Sequence, residues 1–226
     1  ILHLDAEYLS PGIASVYVLI ENDECAIIET GTFHTVPHIL DVLKANGLTE
    51  ENVRYVIPTH VHLDHAGGVG QLMKICPNAE LVVAETEWDF WYDDAIMASV
   101  DEGSRGFFQM ARDAVAPYAD RKKPFTGEVE VAPGFTAMPL PGHTPGHSGF
   151  MLDAGDEQLL IWGDVVHSTA LQFANPDWTI PFDTDQPLAA QTRKAMFDRA
   201  AADQLLVTGM HLDFPGLGRV VRETAF

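Results

Sequence analysis

Three things are scarce in this 226-residue chain: cysteine, basic charge and long apolar runs. The two cysteines, Cys25 in ECAIIE and Cys76 in KICPNAE, are too few for a disulfide framework and form no zinc-type pair. Both read as buried or half-buried structural thiols. Thirteen Lys and Arg stand against 33 Asp and Glu, a formal charge of -20 that would repel a polyanion over the whole surface, so no nucleic acid partner is expected. No stretch approaches the roughly 20 apolar residues needed to cross a bilayer, and the start ILHLDAEYLS has no basic segment followed by an apolar one, so no membrane partner is expected either. Because the chain starts at Ile1 rather than Met, its compartment stays open between the cytoplasm and the periplasm or exterior after leader removal.

What is present is enough apolar matter for a sizeable core: 46% of the residues are hydrophobic and 9% aromatic, with no repeat and no low-complexity linker. One domain over 1–226 is expected. The β-branched runs ASVYVLI (14–20) and CAIIET (25–30), separated by ENDE, read as a hairpin. In TVPHILDVLKANG the period changes, with Val36, Ile39, Leu40 and Leu43 at i, i+3, i+4 and i+7, Thr35 and Pro37 at the start and Gly47 past the end; that is an amphipathic helix. VRYVIP (53–58) is a buried strand, GVGQLMKI begins a second helix, and AELVVAE is the next strand. From about 86 to 120 the chain turns aromatic and helical, an insertion between strands. EVEVA, FTAMPLP, GFMLDA, EQLLIW and QLLVTG then read as strands, with a helix near 187–202. Strand runs with intervening helices predict an α/β protein of two packed sheets with helices outside.

The chemistry concentrates at the end of the third of these strands, where THVHLDHAGG (59–68) carries three histidines and an aspartate within six positions. Imidazole and carboxylate are the ligands that zinc and its borderline neighbours prefer. In an extended loop His60 and His62 point the same way and can hold one ion, while Asp64 and His65, one turn on, can face a second. Two ions need more ligands, and three further apolar strands end near suitable groups: His143 in LPGHTPGHSG, Asp164 in LLIWGDVVH and His211 in LLVTGMHLDF.

With these residues in place the chain resembles the metallo-β-lactamase superfamily, whose His-x-His-x-Asp-His signature is matched by His60, His62, Asp64 and His65. The resemblance covers nearly the whole chain and implies a four-layer αββα sandwich. It implies that His60, His62 and His143 hold one metal, that Asp64, His65 and His211 hold another, and that Asp164 bridges them. Two divalent ions are then the expected cofactors, zinc first, with manganese, iron or cobalt as substitutes. The family's Asp-Thr-Gly after its early strand is here Glu29-Thr30-Gly31; Glu29 either supports a ligand histidine on a longer arm or is a surface strand-end residue.

A dinuclear zinc site implies a hydrolase in which a metal-bridging hydroxide attacks a carbonyl or phosphoryl centre, with Asp64 orienting it. GDVVHSTALQFANPDWTIPFDTD, GMHLDFPGLGRV and EWDFWYDDA resemble the methyl parathion hydrolase and lactonase-like branch, and this implies a small apolar lactone, ester or aryl phosphotriester as substrate. The alternatives are a mononuclear iron oxygenase on His60, His62 and His143, and a β-lactamase or thioesterase-type hydrolase. Trp88, Phe107, Phe173 and Trp178 are candidate substrate contacts, each weighed against a place in the core. His167 is a candidate catalytic group beside Asp64 and Asp164, as a hydrogen-bond donor to substrate or as support for a ligand. His147 reads as structural, and His3, His34 and His38 as ordinary surface or helix residues. A homodimer is the expected assembly if the chain associates.

Overall fold

Consecutive buried residues make the strands of the first half easy to recognise: Val16, Tyr17 and Val18, then Cys25 to Ile28, then Val56 and Ile57, then Leu81 to Val83. In a computed structural model that describes residues 1–8, 11–155 and 157–222, the chain divides into two compact units, Ile1–Thr126 and Gly127–Phe226, each built on one six-stranded sheet.

In the first unit β1 (Leu2–Asp5), β2 (Ser15–Glu21) and β3 (Glu24–Ile28) pair antiparallel. β3 then runs parallel to β4 (Val53–Ile57), β4 to β5 (Glu80–Ala84), and β5 to β6 (Lys122–Phe125). Parallel neighbours cannot be joined by a tight turn, so each step needs a crossover. The first is α1 (Val36–Ala45), which buries Val36, Ile39 and Leu43, three of the four predicted positions. The second holds α2 (Leu63–Ala66) and α3 (Val69–Ile75); the third holds α4 (Glu85–Tyr92), α5 (Asp94–Ser99) and α6 (Glu102–Val115), the predicted helical insertion. The side chains of Asp93 and Asp101 accept backbone N–H groups at the starts of α5 and α6 and so satisfy donors that a helix leaves unpaired.

The second unit orders its strands β12-β11-β10-β9-β8-β7. These are β7 (Val129–Ala132), β8 (Phe135–Pro139), β9 (Ser148–Asp153), β10 (Gln158–Ile161), β11 (Leu206–Thr208) and β12 (Leu217–Arg219). Only β10 and β11 are parallel, and the connection between them carries the one-turn α7 (Thr169–Gln172) and the long α8 (Gln186–Ala202). Asp185 caps α8 by accepting Leu188 N–H at 3.0 Å. From α8, Met196 and Ala200 enter a core with Met138, Leu140, Met151, Leu160, Trp162, Val207 and Leu212. Both cysteines are buried thiols, as expected.

Strands β1, β6 and β12 were not among the sequence expectations. All three lie at sheet edges. Their sequences LHLD, KKPF and LGR are three or four residues long and carry charge, glycine or proline, the devices that keep an edge from pairing further, and they are too short for a strand period to stand out. No helix among the described residues is long and apolar enough to cross a membrane.

Candidate metal centre

After β4 the chain bends at Thr59 and His60 and reaches His62, whose backbone is in the β region as it starts α2. His60 Nε2 and His62 Nδ1 are thereby brought to 2.9 Å of one another, with their rings edge-on. Asp64 and His65 then fall on the single turn of α2, as the spacing predicts. Two glycines let this turn press against the earlier motif. A Cβ on Gly67 would lie 3.1 Å from the Gly31 carbonyl oxygen, and one on Gly68 would lie 2.8 Å from that of Thr30. Thr30 N–H donates to the His65 carbonyl at 2.7 Å and Gly68 N–H to that of Gly31 at 3.2 Å, so the Glu-Thr-Gly and His-Ala-Gly-Gly stretches interlock.

Glu29 is fully buried, which rules out a surface strand-end residue. Its Oε1 lies 3.1 Å from His65 Nδ1, and both carboxylate oxygens accept Thr59 N–H at 3.3 Å. Thr59 Oγ1 lies 3.1 Å from His60 Nδ1. The opposite nitrogen of His65, Nε2, lies 3.7 Å from Asp64 Oδ2. A second buried carboxylate, Glu87 on α4, accepts the N–H of Val61, between the two loop histidines, at 2.9 Å, and Trp91 Nε1–H at 2.7 Å. Sequence reasoning passed over Glu87 because it stands in EWDFWYDD among other acidic residues, where nothing marks it as buried.

The second unit assembles its own cluster. His143, His167 and His211 place their Nε2 atoms 3.3, 3.0 and 3.4 Å from one oxygen, Asp164 Oδ2. His143, Asp164 and His167 offer ligand atoms that all lie within 4.8 Å of one another. His147, expected to be structural, fixes Asp164 from behind. Its Nε2 accepts Asp164 N–H at 2.9 Å, so its proton sits on Nδ1, which donates to the Leu140 carbonyl at 2.8 Å. The loop beyond Asp164 is tied down by Gln172 Oε1, which accepts the N–H of His167 at 2.7 Å, and by the buried Arg193, which donates to the carbonyls of Val165, Pro176 and Trp178 at 2.7 to 2.8 Å. Burial holds the His167 imidazole below its ordinary pKa despite the neighbouring Asp164, and its Nδ1 is buried without a hydrogen-bond partner.

Behind His143 stands a group that the sequence did not reveal, Asp183, whose Oδ1 lies 2.9 Å from His143 Nδ1. Burial pushes this carboxyl up, but hydrogen bonds from His143 and the Ile180 amide, with the charges of His143 and His167, outweigh it and hold the group below the usual carboxylate range. It is therefore an ionised acceptor, and His143 must carry its proton on Nδ1. On the other side of the ring, His143 Nε2 lies 3.3 Å from Asp164 Oδ2. His65 stands in the same way between Glu29 and Asp64. A histidine with a carboxylate on one ring nitrogen is the usual arrangement of a metal-ligating imidazole, and imidazole and carboxylate donors of this kind suit a divalent ion.

The aromatic candidates are placed unevenly. Trp88 is buried, stacked on Tyr92 at 4.4 Å with the Lys122 ammonium 4.1 Å above its ring. Phe173 is half-buried and stacks on Phe197 at 4.7 Å. Phe107 and Trp178 are 47% and 53% exposed.

The family model described as the metallo-beta-lactamase superfamily matches residues 9–211. An N-acyl homoserine lactonase of a Bacillus species is 29% identical over 155 residues, 69% of this chain and 55% of the relative, so the chain spans about half the length of that curated protein. Among solved structures, the hydrolase AbOPH aligns with a TM-score of 0.83 at 28% identity, over 93% of this chain and 76% of its own. The dizinc quorum-quenching lactonase AidC aligns over the same shares with a TM-score of 0.81 at 24% identity, a likeness of fold. A model match that includes the histidine loop of β4, the Asp164 cluster and His211, together with these likenesses of fold, establishes that the chain belongs to the metallo-beta-lactamase superfamily.

Proposed function

We propose that residues 1–226 work as one domain, a metal-dependent hydrolase of lactone, ester or aryl phosphotriester bonds, with His60, His62, Asp64, His65, His143, Asp164 and His211 as ligands of two divalent ions. The observation that carries this reading is the convergence of three imidazole nitrogens on Asp164 Oδ2, with His143 backed by the ionised Asp183. When bound, such ions lower the pKa of a coordinated water from about 15.7 to roughly 7 and polarise the oxygen of the bond under attack. The chain's own groups do the rest. Glu29 and Asp183 hold His65 and His143 in the tautomer that leaves Nε2 for the metal, and His147 fixes the backbone of Asp164. His167 has its Nε2 on Asp164 and its Nδ1 unengaged, and we assign it the contact with a substrate oxygen or leaving group. The exposed rings of Phe107 and Trp178 suit an apolar substrate better than the buried Trp88 does.

The relative's name points to lactones first, and phosphotriesters enter through the resemblance of GDVVHSTALQFANPDWTIPFDTD to the methyl parathion hydrolase branch. The test is a rate panel on zinc-loaded protein with a γ-lactone, an acyl homoserine lactone, an aryl phosphotriester, a cephalosporin and a glutathione thioester, together with metal analysis. Two zinc per chain and fastest turnover of a lactone or phosphotriester are expected. One iron per chain with oxygen consumption would replace this reading with the oxygenase alternative.

A further inference from the structure

Asp183 spends its two oxygens on two different kinds of donor. Oδ1 faces His143 Nδ1 at 2.9 Å, and Oδ2 accepts the Ile180 backbone N–H at 3.0 Å. The Asp183 side chain is completely buried, so neither bond is readily exchanged for one to water. The next residue grips the main chain of the same histidine: Thr184 N–H and Oγ1 donate to the His143 carbonyl at 2.9 and 3.0 Å. The His143 backbone is thereby held beside Asp183, and the contact of its ring with Oδ1 is the one that a swing of the side chain would break.

We propose that Asp183 is a positioning residue that acts through His143 by dictating which ring nitrogen carries the proton. This rests on the reading that His143 is a metal ligand, and it makes an unusual demand. A backbone N–H can only donate, so an asparagine at 183 must turn its oxygen toward Ile180 and its NH₂ toward His143. That amide donates to Nδ1, drives the ring proton onto Nε2 and blocks the ligating nitrogen. The isosteric change is thus worse for metal than deletion of the side chain, which leaves the tautomer to equilibrate. A purely structural role predicts the opposite order, because asparagine fills the space that alanine empties.

The experiment is zinc affinity by chelator competition on wild type, Asp183→Asn, Asp183→Ala and His143→Ala, with thermal unfolding of each zinc-free protein. Asp183→Asn is expected to weaken zinc binding by about 10 to 100-fold and Asp183→Ala by less, while the asparagine variant unfolds no lower than the alanine one. Zinc binding by Asp183→Asn as tight as wild type, or tighter than by Asp183→Ala, overturns the inference while a weakened His143→Ala keeps the metal reading. His143→Ala binding like wild type overturns both. If Asp183→Asn does not fold, ¹⁵N spectra of the zinc-loaded wild type decide: a His143 proton on Nδ1 is expected, and one on Nε2 overturns the proposal.

Discussion

Glu87 shows how a single buried carboxylate can pin the histidine loop from outside it. One oxygen accepts both Val61 N–H and the Trp91 indole, and the side chain is completely buried. Glu87→Ala strands two buried donors at about 1–3 kcal/mol each. A drop of roughly 2 kcal/mol or more is expected in urea unfolding. Glu87→Gln, whose amide oxygen can serve the same donors, should lose less than half of that. At this scale sequence reasoning reached the groups that repeat in a short motif and missed those that reach across the fold. His60, His62, Asp64 and His65 announce themselves by density in six positions. Asp183 and His143 meet across 40 positions, and nothing in PFDTDQ distinguishes the buried aspartate from the solvated Asp185 two residues on.

Among the elements, the strap from Val165 to Asp185 depends on α8. Arg193 sits on the buried face of that helix and sends its guanidinium to three carbonyls of the strap, a task for a planar fork that lysine's single ammonium cannot share out. Arg193→Lys is therefore expected to cost at least about 1.5–3 kcal/mol, the range for a lost hydrogen bond to a charged group. The check is the denaturation midpoint, together with faster hydrogen exchange of the His167 and Trp178 amides. The helix itself was foreseen to within a residue of its start, because a run without interior glycine or proline between a capping Asp185 and Asp203 is a local property. Its role as an anchor was not, because an arginine in a helix normally reads as solvent-facing. Likewise α1 was legible from its apolar period, whereas the edge strands β1, β6 and β12 are too short for a strand period to stand out.

For the molecule as a whole, two titrations separate metal from thiol chemistry. Zinc binds only the folded chain in this reading, so at a hundredfold excess over its Kd it should raise unfolding stability by about 2.7 kcal/mol. Excess chelator should reverse the rise in Tm. At alkaline pH the cysteines take over. Burial raises the Cys25 thiol to about 11, and burial with smaller charge effects raises Cys76 to about 12, against 9.0 for an ordinary thiol. Folding favours the protonated thiols, so this contribution is whole below pH 9 and is lost as pH climbs through 11 to 12. Tm should fall across that window, and less steeply in the double variant Cys25→Ala/Cys76→Ala.

The strap has one further consequence. Residues 183–185 hold the backbone of Gly142 and His143, while Arg193 and Gln172 hold the stretch just after Asp164. Neither loop can loosen alone, since each opening pulls on the other through the same short span. If His143 and Asp164 hold an ion as proposed, its loss from this half should therefore be a concerted step, both side chains surrendering it together rather than peeling off one after the other.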